Sequence, residues 1–116
     1  MTFPPAEQWS TRAGDAAIAV LDIPADATRQ RRFEIACAMT VQALDNCESP
    51  WHEFRVYCDG QLQWQRRVAT QQPAPFDGLD FRFQLSIGVG RRARIQAESH
   101  CQGARRLQLQ IDAEEI

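Results

Sequence analysis

The chain has 116 residues, enough to bury one hydrophobic core without staples, and 44% of them are apolar, as in a folded domain. Acidic residues outnumber basic ones, 15 to 13, for a net charge of −2, so the basic footprint of a nucleic-acid binder is missing. No run approaches the ~20 apolar residues that cross a bilayer as a helix.

Residues 1–15 carry no sustained period and read as an N-terminal arm, with Trp9 as the side chain that would anchor it. The remainder, 16–116, reads as a single β-sandwich domain. Ala16–Ile23 is a first, modest strand, ended by Pro24, and Ala25–Gln30 is a polar loop. From Phe33 the odd positions run Phe33, Ile35, Cys37, Met39, Val41, with Glu34, Thr40 and Gln42 between them. Side chains alternate faces along a strand, so this two-residue period describes a strand with one face buried and the other wet. The strand spans Arg32–Leu44, long enough to bend or bulge midway, and Asp45–Pro50 is dense in turn formers.

The same rhythm returns over His52–Tyr57 and Gln61–Val68, which flank Asp59-Gly60, the strongest hairpin signal in the chain. A two-residue turn would set Val56 against Gln63 and split the apolar residues between both faces. A three-residue loop, Cys58-Asp59-Gly60 with a bulge at Gly60, would pair Val56 with Leu62 and Phe54 with Trp64 on one face. The bulged loop is therefore the expectation, with Cys58 in the turn rather than in the core. Gln71–Gly78, containing Pro73, Pro75 and Gly78, reads as a linker crossing between sheets. Leu79–Val89 alternates most clearly, and Ala93–His100 and Arg105–Ala113 complete seven strands. The fold class expected is all-β: an antiparallel β-sandwich of about seven strands with immunoglobulin-like architecture.

Cys37 in the second strand, Trp51 just before the third and Cys101 at the end of the sixth resemble the Cys…Trp…Cys arrangement of antibody-type domains. Two features depart from it: Ser99 stands where those domains carry a tyrosine, and Trp51 is out of phase with Phe54 and Val56. The resemblance is architectural, covers residues 16–113 and rests on no family-specific motif.

The location signals disagree. Met1-Thr2-Phe3-Pro4-Pro5 has neither the basic start nor the apolar run of a secretory signal, which points to the cytoplasm. A chain whose signal had been removed would read the same, and four cysteines, at 37, 47, 58 and 101, suit an oxidising compartment. Cys37 reads as a small buried hydrophobe, whereas Cys47 and Cys101 fall at one pole, where geometry would decide whether they bond. All thirteen basic residues are arginine, which fits codon usage in a GC-rich bacterial genome.

The chain carries little recognisable chemistry. Cys47, His52, His100 and Cys101 supply metal-ligand types but no Cys-x-x-Cys or His-x-x-x-His spacing, so surface histidines and no metal or other cofactor are expected. No acid is placed to orient a Cys-His pair, no carboxylates cluster, and Gly88-Val89-Gly90 precedes a strand rather than a helix. Arg29, Arg31 and Arg32 share a pole with Arg91 and Arg92, where they could contact a partner or an anion. Gln61, Gln63 and Gln65, with Gln108 and Gln110, suggest neutral polar faces; Trp51 and Tyr57 are the aromatics available beside them for stacking on a carbohydrate. The expectation is a non-catalytic interaction module that binds a protein partner, or itself, through an edge strand or a loop pole. The first and fourth strands are the expected edges. The alternative is a domain that binds a small ligand, a metal or a carbohydrate.

Overall fold

The structure is a computed structural model that describes residues 5–72 and 75–116. Met1–Pro4 and Pro73 of the expected linker lie outside the described residues. Among the described residues eight strands run in the order β1 (Gln8–Arg12), β2 (Ile18–Ile23), β3 (Arg31–Ala43), β4 (Trp51–Cys58), β5 (Gln61–Ala69), β6 (Asp77–Ile87), β7 (Ala93–Gln102) and β8 (Ala104–Glu115). They form two antiparallel four-stranded sheets, β1-β8-β3-β6 and β2-β7-β4-β5, packed as a sandwich. No helix among the described residues is long and apolar enough to cross a membrane.

The strand absent from the sequence reading is β1, inside the segment read as an arm. It pairs with β8 from Gln8↔Glu114 to Arg12↔Gln110, and Trp9 packs half-buried against the core. The alternation read at Phe33–Val41 is fully realised: Phe33, Ile35, Cys37, Met39 and Val41 are all buried. They meet Leu21 and Ile23 of β2, Phe54 and Val56 of β4, Ile95 of β7, and Leu109 and Ile111 of β8. A bulge falls in β8, where Leu107 is skipped between Thr40↔Gln108 and Val41↔Arg106. Beyond it the phase of β8 changes, and Arg106 reaches Ser99 of β7, its Nε donating to the hydroxyl at 3.0 Å.

The β4–β5 hairpin corrects the expected register. Cys58 pairs directly with Gln61 across a two-residue turn, in which Asp59 and Gly60 both have positive φ, 49° and 82°. That is the turn whose twist matches the strands it joins. The extra residue sits further along, where Tyr57↔Leu62 is followed by Val56↔Trp64, and Phe54 then faces Arg66. The bulge restores the apolar phase at Trp64 but leaves Leu62 50% exposed. Cys58 is consequently a buried core residue, not a turn residue.

If the seven expected strands are lettered A to G, immunoglobulin constant-type sandwiches group them ABED and CFG. Here β8 (G) lies beside β3 (B), β2 (A) beside β7 (F), and β5 (D) beside β4 (C). The sandwich architecture holds with a different strand order. Every connection except the β4–β5 hairpin crosses from one sheet to the other, including the expected crossing from β5 to β6.

Candidate functional site

The turn at Asp59-Gly60 decides which strands are edges. A two-residue hairpin makes β5 the hydrogen-bonded neighbour of β4, which places it in the sheet opposite β6. With β5 elsewhere, β6 keeps β3 on one side and, among the described residues, no strand on the other. The first and fourth expected strands, β2 and β5, are edges as read; β1 and β6 are edges as well.

Edges differ in how they are protected. β1 is only 5 residues long. On β2, the carbonyl of Val20 accepts a hydrogen bond from the Thr11 hydroxyl at 3.0 Å. β5 is broken by its bulge and carries Arg66 and Arg67. By contrast β6 is 11 residues long, pairs with β3 without a register shift from Asp77↔Val41 to Ile87↔Arg31, and contains no proline. A long, regular edge of alternating apolar residues presents unpaired N–H and C=O groups to another chain.

The side chains of β6 match that edge. Asp80, Arg82, Gln84 and Ser86 point outward and are exposed, whereas Leu79, Phe81, Phe83 and Leu85 point inward yet stay only half-buried. On this side the sandwich is held by rings rather than by backbone. Phe81 stacks on Trp64 of β5 at 5.0 Å, Trp64 meets Phe54 edge-on at 6.2 Å, and Phe83 follows Phe81 at 5.6 Å. Gly78 opens the strand because a Cβ there would collide with the Met39 carbonyl oxygen.

The arginine pole exists, and two of its five arginines, Arg29 and Arg31, have carboxylate partners. Arg31 is 2% exposed and bonded to Glu7 at 2.8 Å and to the Pro24 carbonyl at 2.8 Å. Arg29 bridges Glu7, Asp26 and Glu115. The Arg29 guanidinium, with the Glu7 amide, brings the Glu115 carboxyl down to about 2. Arg32 is bonded to Gln84 of β6 at 2.6 Å. Arg91 and Arg92 are exposed on the loop after β6.

Two of the four metal-ligand types are brought opposite each other. His52 and Cys101 face each other across β4 and β7, while His100 faces Glu53. His52 is fully buried with Nδ1 2.8 Å from the Thr70 hydroxyl, and the Cys101 thiol is 3.2 Å from the Ala104 carbonyl. His100 sits 3.9 Å from Glu98. The Cys47 Cβ lies beside Gly103, 3.3 Å from where a Cβ on that residue would stand. No group of three His, Cys, Asp or Glu side chains among the described residues is arranged to hold a metal. All four cysteines, Cys47 and Cys101 included, are free thiols.

The glutamines do not make one surface. Those of β5 and those of β8 belong to opposite sheets, and Gln65 is bonded to Glu53 at 3.0 Å. One face of Trp51 is covered by the Arg67 guanidinium, 3.8 Å from the ring centroid. An open cleft of about 1130 Å³ lies by β2 and the outer side of β7, lined among others by Trp9, Asp22, Pro24, Tyr57, Arg94 and Glu98. The Asp22–Arg94 ion pair, 2.8 Å apart, lies on its lining.

No protein-family model matches the chain, and no curated protein matches it. Among solved structures it is similar to dimeric latent PorU from Porphyromonas gingivalis, with a TM-score of 0.60 over 95% of this chain and 8% sequence identity. The likeness covers 13% of the PorU chain. At that identity it is a likeness of fold, between this sandwich and one segment of a much longer protein.

Proposed function

We propose that this sandwich works by binding rather than by catalysis, and that it accepts an extended polypeptide along the free edge of β6. The observation that carries the reading is the combination found there: a regular 11-residue edge whose inward side chains remain half-exposed. A strand laid against β6 would gain main-chain hydrogen bonds from the edge. Its alternate side chains would cover Leu79, Phe81, Phe83 and Leu85. Affinity would come from the backbone and specificity from the aromatic positions. The expected loop pole is a weaker surface for a partner, because Arg29 and Arg31 already have carboxylate partners.

The alternative, a small ligand in the Asp22–Arg94 cleft, is favoured by the pairing of aromatic and charged side chains there. One experiment separates the two. Displayed random peptides of the length of β6 are selected against the purified domain, and the binders are mapped by amide hydrogen exchange. Strand addition requires alternating apolar sequences that protect Asp77–Ile87 and lose binding to Phe83→Lys, which sets an inward charge at the edge. Binders that leave β6 exchanging freely would defeat the proposal.

A further inference from the structure

The edge of β6 is complementary to itself, and this inference rests on the strand-addition reading above. We propose that the strand added to β6 is β6 of a second copy of this chain, antiparallel, with the two-fold axis at Phe81. Directly opposed residues of an antiparallel pair share a face. With the axis at Phe81, that residue meets its own counterpart on the inner face, and Leu79 of each copy meets Phe83 of the other. On the outer face Asp80 of each copy meets Arg82 of the other, so two opposite-charge pairs bracket the axis.

The neighbouring registers lack this match. Moving the axis to Asp80 sets Asp80 against Asp80, and moving it to Arg82 sets Arg82 against Arg82. Each puts like charges at the centre of the seam, where direct opposition is destabilising. Charge therefore favours the Phe81 register over both neighbours.

The groups it needs are accessible. Asp80 and Arg82 are both exposed. The present partner of Arg82 is Glu34 at 3.3 Å, on β3 and so on the side of Arg82 away from the edge. Arg82 can keep that contact and still reach Asp80 of the second copy. The stack on Trp64 holds the Phe81 ring on the inner side of the sheet. Because the contact uses the same surface on both copies, it closes at two. The result is a continuous sheet in the order β1-β8-β3-β6-β6-β3-β8-β1, whose own free edges are the short β1 strands.

The test is sedimentation velocity of the full chain over a concentration series, with D80R, R82D and their equimolar mixture. Both substitutions are at exposed positions and leave the core untouched. The wild type should shift toward dimer as concentration rises. Each variant alone opposes like charges and should dimerise about ten-fold more weakly or worse. The mixture should recover. In D80R positions 80 and 82 are both basic and in R82D both are acidic, so both charged pairs across the seam are again of opposite charge. A dimer indifferent to both substitutions, or a mixture that does not recover, overturns the proposal. A chain that stays monomeric while displayed peptides still protect β6 overturns the second copy and leaves strand addition standing. If neither a copy nor a peptide protects β6, both fail.

Discussion

The indole of Trp64 and the ring of Phe81 lie face to face, 5.0 Å apart and 6° from parallel. They belong to β5 and β6, edge strands of different sheets that share no backbone hydrogen bonds. A stack of side chains closes the sandwich on this side. The backbone of β6 is thereby left with one unpaired edge, and the inner face beneath it is only partly covered.

Truncation should follow that gradient of burial. Phe54 is fully buried, so F54A should cost about 3–5 kcal/mol. Trp64→Ala removes a half-buried ring and its two aromatic contacts, and should cost about 2 kcal/mol. Leu62, left half-exposed by the bulge, should cost under about 0.5 kcal/mol on truncation to alanine. Denaturant midpoints at constant m-value check the order. W64A as damaging as F54A would mean that this side is closed as tightly as the centre.

Two glycines should fail for different reasons. At Gly78 the added methyl group of alanine meets the Met39 backbone carbonyl, which cannot move without disturbing the β3–β6 ladder. G78A should cost about 1–3 kcal/mol or more and accelerate amide exchange along β6. At Gly60 nothing would touch the new Cβ, and the cost is that of φ at +82° alone. G60A should cost about 1–2 kcal/mol and leave the exchange of β6 unchanged. Equal exchange along β6 in both variants would contradict this account.

The central strands were legible because burial acts on every second residue. Phe33 to Val41 could be read as one face without knowing its neighbours. β1 could not, since Gln8-Trp9-Ser10-Thr11-Arg12 holds one large apolar residue and its pairing is through backbone to β8, about a hundred positions away. The hairpin was placed correctly and its register was not. A bulge one step beyond the turn brings Trp64 to the face of Phe54 and Val56 but leaves Leu62 off it, 50% exposed, so the expectation that all four share one buried face fails at Leu62. The free edge of β6 had a signal in the sequence: a tight hairpin at Asp59-Gly60 commits the fourth expected strand to the sheet of the third. Asp26, three residues before Arg29, is a local partner, but nothing local could show that Glu7 and Glu115 also take up its charge, because those contacts exist only once β1 pairs with β8.

That junction should make stability depend on acid. The carboxyl of Glu115 titrates at about 2 in the folded chain, held below an ordinary 4.5 first by Arg29 and then by the Glu7 amide. A carboxyl depressed on folding stabilises fully above its unfolded value, and that contribution is lost as pH falls through the folded one. The window here runs from about 4.5 down to about 2. Urea midpoints measured across it should fall for the wild type. E115Q should start lower at neutral pH and change less, so the two curves converge toward the acid end. Parallel curves would show that Glu115 does not carry the effect.

Thiol reactivity gives a check on the core that is independent of stability. Burial, with the charge of Asp112, pushes Cys37 up to about 12, and it is 1% exposed in the middle of β3. Cys58 is raised as well, by burial and then by Asp59, and is 8% exposed. Cys47 and Cys101 are partly exposed. Alkylation needs both the thiolate and access to it. Native protein at about pH 8 should therefore be modified first at Cys47 and Cys101, then at Cys58, and at Cys37 only as fast as the sheet opens. Time-resolved peptide mass mapping reads the order, and denatured, unreduced protein should take up label at all four cysteines. Early labelling of Cys37 would mean that β3 is not the closed centre of the fold. Protection of Cys47 and Cys101 together after denaturation would mean that the two are bonded, and would move the chain to an oxidising compartment.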